Sequence, residues 1–521
     1  MSTCPLPRLP SLVLALLGAA CKGPTPALRP AAVTTADAAL LLAQLSGDGT
    51  VSITGSYGAE LYVDVDGRGD ALLGEDSRYA FRYRVYSGNE VLYSRSTSGP
   101  IIVRDFLDYY SGSVDIDILA AFPGLGEFPI VVPLLPDADR VGFEIRGEDG
   151  VYEEVGSYDL SRLEADDVGA SSVVAGGATL HESGPPHNRL DVVLMGDGYT
   201  EAELDLWKAD ADAVAERLLD AEPFNRMAGL LNVHRVDAVS VESGVSFDCV
   251  DDDCRIKDTA FGTVFAIEAV NRMLGTSYRT SPVFQLEQWE VARAAATVPW
   301  DMVLIVANAE HSGGFAVHYA TAPHHRDWEN TAVHELGHTI GLLGDEYAVD
   351  DCVRSSSLGL PDNIAEDLDA LPWSAWVEAG TPLPTPADGT WVDEIGAFSP
   401  AYNCDDLYRA ASTCRMDDSD LEFCPICQEL IVRRLLRYAD PLDGVTVHDG
   451  GMIELESAFP ELTADEQVQL RWTVDGVEQS GGWSLDAAGA ETVEVEATLT
   501  TPLVREARGD LTEKWVFTRG K

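Results

Sequence analysis

His334-Glu335-Leu336-Gly337-His338-Thr339-Ile340-Gly341-Leu342-Leu343-Gly344-Asp345-Glu346-Tyr347 is the stretch on which the reading of this chain turns. The spacing predicts a helix over Asp327 to Ile340, with Asp327 as its N-cap and Gly341 as its stop. Residues four apart on a helix share a face one turn apart, so the imidazoles of His334 and His338 can reach one metal ion. Glu335, beside the first of them, is placed to take a proton from water. Zinc suits this set because it acidifies water and polarises a scissile carbonyl while the carboxylate moves protons. Two chance histidines on a surface helix are the bland alternative, and the residues that follow argue against it. A glycine three residues past His338 lets the helix stop and the chain turn back, bringing a later residue to the metal as third ligand.

In the commonest metzincin pattern that ligand stands three residues after the glycine. Here the position is Gly344, which has no side chain to offer. Asp345 is the next candidate, with Glu346 as its rival; a supporting role for Asp345, orienting a histidine, stays open. Further stretches stand in order along the chain: Val192 to Thr200, Glu222-Pro223-Phe224, Asn232-Val233, Ser240 to Gly244, Cys414-Arg415-Met416 and Phe423 to Cys427. Together with the motif and its trailing Asp345-Glu346-Tyr347, they make Leu190 to Tyr438 resemble the igalysins. These are the IgA-peptidase-type zinc metallopeptidases, a branch of the metzincins. The resemblance implies a β-rich domain before the catalytic one. It also implies that Met416 is the Met-turn residue, a hydrophobic floor beneath the metal; on composition alone Met416 is a core filler. It does not carry over a substrate, so a general protein or peptide is the expectation.

Gly313-Gly314-Phe315 follows the apolar stretch Met302 to Ala307. In metzincins such a strand edges the cleft and pairs with extended substrate, and a hairpin turn is the equal alternative. Tyr347 and Tyr402 are candidate oxyanion helpers with no spacing to single out either. His318, His324 and His325 read as solvent-facing loop histidines. Asp248 with Asp251 to Asp253, and Asp64, Asp66 and Asp70, are oxygen-rich enough for Ca2+ but lack the full EF-hand pattern, so solvated acid clusters are the default.

Outward from this centre the texture divides the 521 residues, too many for one ordinary core. Between about 50 and 165, Leu61, Val63 and Val65, then Phe81, Tyr83 and Val85, alternate with polar or outward residues, which predicts an antiparallel β-sandwich. A Gly/Ser-rich stretch around Gly169 to Gly177 closes that part. From 185, strands alternate with helices: Leu190 to Met195 and Met302 to Ala307 read as buried strands, Ala202 to Leu219 and Gln428 to Tyr438 as helices. After 441 alternation returns, as in Thr492 to Ala497.

The N-terminus reads as an export signal: Arg8, the apolar Leu12 to Leu17, then Gly18-Ala19-Ala20 before Cys21. The ending is similar to a bacterial lipoprotein cleavage site, after which Cys21 carries lipid; plain cleavage and release is the alternative. Pro- and Ala-rich Gly23 to Ala32 reads as a tether. Seven cysteines remain beyond the signal, and outside the cytosol most are expected in disulfides. Cys249 and Cys254 bracket one loop, and Cys424-Pro425-Ile426-Cys427 has the spacing of a zinc or redox site. With 87 acidic against 35 basic residues the net charge is -52, which argues against nucleic acid as a partner.

The expectation is therefore a multidomain α+β protein. It comprises a signal peptide (1–21), a linker (22–45), an N-terminal β-sandwich (46–180), a metzincin-like α/β zinc peptidase domain (185–440) and a small C-terminal β-rich domain (441–521). Its cofactor is one catalytic Zn2+ on His334, His338 and Asp345, its base Glu335, and its place the bacterial cell surface or periplasm, or the medium. Glu346, Tyr347, Gly313 and Gly314 are the supporting or substrate-side candidates. An inactive surface-binding lipoprotein and a zinc hydrolase of non-peptide amides are the rival readings.

Overall fold

The computed structural model describes residues 13–16, 34–45, 50–63, 81–97, 127–147, 151–167, 171–247, 257–265, 283–285, 288–316, 319–348, 352, 360–459, 462–505 and 511–519. The tether, both acidic clusters, Cys21, Cys249, Cys254 and His318 lie outside them. The chain is mostly β-sheet with few helices, an α+β protein of several sheets. It divides into two compact units, Ala31–Tyr438 and Ala439–Lys521 with Met1–Pro30. Among the described residues no helix is long and apolar enough to cross a membrane.

In the first unit, two four-stranded sheets share one apolar core. One runs in the order Glu127–Pro133, Thr34–Leu45, Val51–Val63, Glu164–Asp167. The other runs Glu90–Thr97, Phe81–Ser87, Arg140–Arg146, Tyr152–Asp159, antiparallel throughout. Leu41 and Ala43 of the first meet Phe81, Val85 and Phe143 of the second. Residues 34–45, expected as linker, are a strand, and the reason lies in its two faces. Ala39, Leu41 and Ala43 enter the shared core, while Ala38 and Leu40 pack against Ala292 and Ala296. A strand covered on both sides reads as a continuous apolar run and not as alternation.

The sheet that positions the site has six strands: β1 (Val174–His181), β2 (Leu190–Asp197), β3 (Leu231–Ala238), β4 (Met302–Ala307), β5 (Phe315–Ala316) and β6 (Ala320–Pro323). Their spatial order is β1-β3-β2-β4-β6-β5. The central pairs are parallel, and β1 and β5 are antiparallel edges. Every residue of β2 is buried, as a parallel strand covered on both faces requires. Two expectations change here. The glycine-rich stretch does close the preceding part, whose last strand is Glu164–Asp167, but the expected boundary at 180 moves back, because the second half of the stretch is built into β1. The edge strand is β5, which follows Gly314, whereas β4 lies inside the sheet.

Among the described residues, four helices complete this region: α1 (Leu204–Asp220), α2 (Gln288–Ala295), α3 (Trp328–Gly341) and α4 (Pro425–Tyr438). Helix α3 packs against β6, α1 and α4. At its start Asp327 occupies the N-cap position, but its side chain makes no cap bond and instead accepts from Arg326 Nε at 3.0 Å. At its end the left-handed residue is Leu342, φ 53°, and not Gly341. Gly341 is glycine for a different reason: a Cβ there would stand 2.8 Å from Leu343 Cγ and 3.0 Å from Ile431 Cγ1 on α4.

The second unit is also β-rich. A five-stranded and a three-stranded sheet are covered by one core that includes Leu442, Ile453, Trp472, Val493, Val495, Trp515 and Phe517. Thr492–Thr500 alternates inward Val493, Val495, Ala497 and Leu499 with less buried neighbours. Val13–Leu16, from the apolar stretch of the N-terminus, pairs in parallel with Val516–Arg519.

Candidate metal centre

Three ligand atoms converge at the C-terminal half of α3. His334 Nε2 lies 3.1 Å and His338 Nε2 3.2 Å from Asp345 Oδ1, and the two Nε2 atoms are 3.2 Å apart. A tetrahedral zinc with ligands at 2.0–2.1 Å sets edges of about 3.3 Å, so the trio fits the ion. The other ring nitrogens face backbone carbonyls: His334 Nδ1 to Arg415 O at 2.8 Å and His338 Nδ1 to Leu343 O at 2.7 Å. A carbonyl only accepts, so each Nδ1 carries the proton and each Nε2 offers its lone pair to the centre.

Charge is arranged to match. Burial would raise the Asp345 carboxyl, yet His338 and His334 hold it well below the usual carboxylate range. Burial opposes charging His338, but Asp345 and Glu335 outweigh it and push the imidazole up to about 9. Protons held by these rings are what a cation entering the trio would displace.

Glu335 is buried, 5% exposed. Burial lifts its carboxyl to about 7, against the pull of His334 and His338. A Cβ at Gly314 would overlap the Glu335 carboxyl, so the two candidates meet: the backbone just before β5 closes directly onto the carboxylate. Gly337, between the histidines, is pressed from below. A Cβ there would lie 2.9 Å from Phe423 and 3.1 Å from Met416 Sδ. Phe423 in turn meets Phe224 edge to face at 6.3 Å. Met416 is fully buried.

The chain then splits its two acidic residues between two sides. Asp345 joins the histidines, whereas Glu346 is fully buried with its Oε1 3.2 Å from Cys427 Sγ. Glu346 N donates to Met416 O at 2.7 Å. Asn363, which no sequence pattern marks, grips this segment. Its Oδ1 accepts from Gly344 N at 2.8 Å, and its Nδ2 donates to Gly344 O at 2.8 Å and to Glu346 Oε1 at 3.1 Å. Gly344 has Pro361 and Tyr402 where a Cβ would go. Tyr347 O accepts from Asn403 N at 3.0 Å. Cys352 and Cys404 form a disulfide; Cys414, Cys424 and Cys427 are buried thiols.

Several stretches that drew notice in the sequence are structural. Asp197 at the end of β2 accepts from Gly198 N, Phe261 N, Thr263 N and Thr259 Oγ1. Ser240 Oγ accepts from Gly198 N and Ala260 N, and Gly244 N donates to Gly198 O at 2.9 Å. Asn232 Nδ2 and His234 Nε2 both sit 2.9 Å from Asp191 Oδ1. These bonds stitch β2, β3 and their loops together. His324 meets Trp328 edge to face at 5.1 Å and approaches Asp210 at 3.7 Å.

No curated protein matches the chain. A family model described as IgA Peptidase M64 matches residues 178–394, a span that contains His334, Glu335, His338 and Asp345 and ends before Met416. By that match, residues 178–394 are similar to the IgA peptidase M64 family, a family of metallopeptidases.

Proposed function

We propose that the chain is a zinc endopeptidase of metzincin-like fold that hydrolyses peptide bonds within protein substrates. The observation that carries the reading is the convergence of His334 Nε2, His338 Nε2 and Asp345 Oδ1 within 3.2 Å of one another, with both Nδ1 atoms on carbonyls. Zinc bound there would polarise the scissile carbonyl and acidify the attacking water. Glu335 takes the proton of that water and returns it to the leaving amine. A carboxyl raised by burial to about 7 suits both tasks near neutral pH. Met416 and Phe423, packed beneath Gly337, hold the helix face that carries the histidines. The Gly313-Gly314 backbone beside Glu335 is where an extended substrate passes, antiparallel edge strand β5 continuing its path.

Export belongs to the same proposal, with Cys21 as the lipid-bearing residue. Its support is the apolar Leu12 to Leu17 followed by Gly18-Ala19-Ala20. Mass spectrometry of the mature chain checks it: an acylated Cys21 at the N-terminus is the expected result, and an unprocessed Met1 the contrary one.

The activity is tested on an unfolded protein substrate. Cleavage should stop when a chelator strips the metal and return with one equivalent of zinc. Cleavage indifferent to the chelator, or none across a broad substrate panel with zinc bound, would count against the reading and favour a non-peptide hydrolase or a binding protein.

A further inference from the structure

Seven cysteines lie beyond Cys21, an odd number. Cys352 is joined to Cys404, and Cys414, Cys424 and Cys427 are buried as thiols. Their company is not apolar. The Glu346 carboxyl enters the same space with no solvent exposure, and its Oε2 has no hydrogen-bond partner. A buried carboxyl oxygen left alone is unfavourable unless something positive takes it. One ligand atom from each of the four residues lies within 4.8 Å of all the others.

The spacing is that of a coordination shell. Cys414 Sγ and Cys427 Sγ are 3.6 Å apart, and Cys427 Sγ is 3.2 Å from Glu346 Oε1. Tetrahedral zinc, with sulfur at about 2.3 Å and oxygen at about 2.0 Å, sets S–S edges of about 3.8 Å and S–O edges of about 3.5 Å. A disulfide needs about 2.05 Å, and three sulfurs cannot all pair with one another. We propose that Cys414, Cys424, Cys427 and Glu346 bind a second divalent cation of the zinc class in a closed, four-ligand structural site.

The surroundings suit its charge. Cys424 precedes α4 and Cys427 lies in its first turn, where the helix end favours negative ligands. Cys424 N donates to Cys414 Sγ at 3.3 Å, and Arg409 Nη1 donates to Glu346 O at 3.1 Å. The ion would tie three segments that border the histidine trio. Glu346 follows Asp345, Cys414 precedes the Arg415 carbonyl that holds His334, and α4 packs on α3. This site does not depend on the peptidase reading, because its ligands are distinct from the trio.

The test is metal content and zinc-edge X-ray absorption of the full chain, wild type beside the His334→Ala/His338→Ala double variant. Two zincs in wild type and one in the variant are expected, the remaining ion showing three sulfurs near about 2.3 Å. No zinc in the folded variant, zinc without sulfur, or a mapped disulfide between any two of Cys414, Cys424 and Cys427 would overturn the proposal. One sulfur-bound zinc in both proteins would uphold it and defeat the histidine site instead. Should the double variant not fold, cobalt-loaded wild type decides: thiolate-to-cobalt charge-transfer absorption is expected, and its absence overturns the site.

Discussion

Asp345 and Glu346 are chain neighbours with opposite surroundings. The Asp345 side chain is 26% exposed and meets His334 and His338, themselves 10% and 18% exposed. Glu346 is fully buried, and the three cysteines around it are at most 4% exposed. One cluster has a way out to solvent and the other has none. Reactive metal sites keep a position open and structural ones close all four, and the two proposed sites differ in that way. Both lean on the same short turn: Arg415 O receives His334, and Met416 O receives Glu346 N. On the proposed reading, the catalytic centre borrows its rigidity from a buried neighbour.

Asp345→Ala should separate the two clusters most sharply. The open cluster should lose its cation and peptide cleavage should fall on the order of 10⁴-fold, the several kcal/mol a metal supplies, while sulfur-bound zinc stays. Loss of both ions in a metal assay would mean the clusters are not separable. Asn363→Ala loosens both sides at once, since Asn363 holds Gly344 and Glu346. We expect about 1–3 kcal/mol of lost stability in urea titration and zinc affinity of the open site weaker by roughly 10–100-fold. Unchanged values would remove Asn363 from the account. Gly341→Ala drives a methyl into Leu343 and Ile431 and should cost about 1–3 kcal/mol. Leu342→Gly, at the left-handed position itself, should shift stability by less than about 1 kcal/mol. A larger cost at Leu342 than at Gly341 would reverse the roles assigned to them. In the pH profile, kcat/KM should fall with acid as Glu335 takes a proton, with its midpoint no higher than about 7 because a bound cation can only lower it. A midpoint above that would point to another group.

What could be read from the chain follows the range of the interaction. Helix α3 and the pairing of His334 with His338 were legible because helical spacing is local. The one-residue offset from Gly344 to Asp345 was legible because glycine cannot coordinate. Glu346 remained a rival there, since nothing local says which way each carboxylate turns; partners at Cys414 to Cys427, far along the chain, decide it. Asn363 was invisible for the same reason, a lone polar residue in a loop. The strand at 34–45 was misjudged because its burial on a second face comes from Ala292 and Ala296, a contact no local pattern announces. Gly341 was credited with the turn that Leu342 makes, since glycine is the ordinary left-handed residue and its packing against α4 could not be seen.

The role of Glu335 as base is decided by Glu335→Gln, with zinc content and peptide cleavage measured on the same preparation. The variant should bind zinc like wild type while kcat/KM drops by roughly 10²–10⁴-fold, the contribution of a positioned general base. Cleavage at the wild-type rate with zinc in place would contradict it.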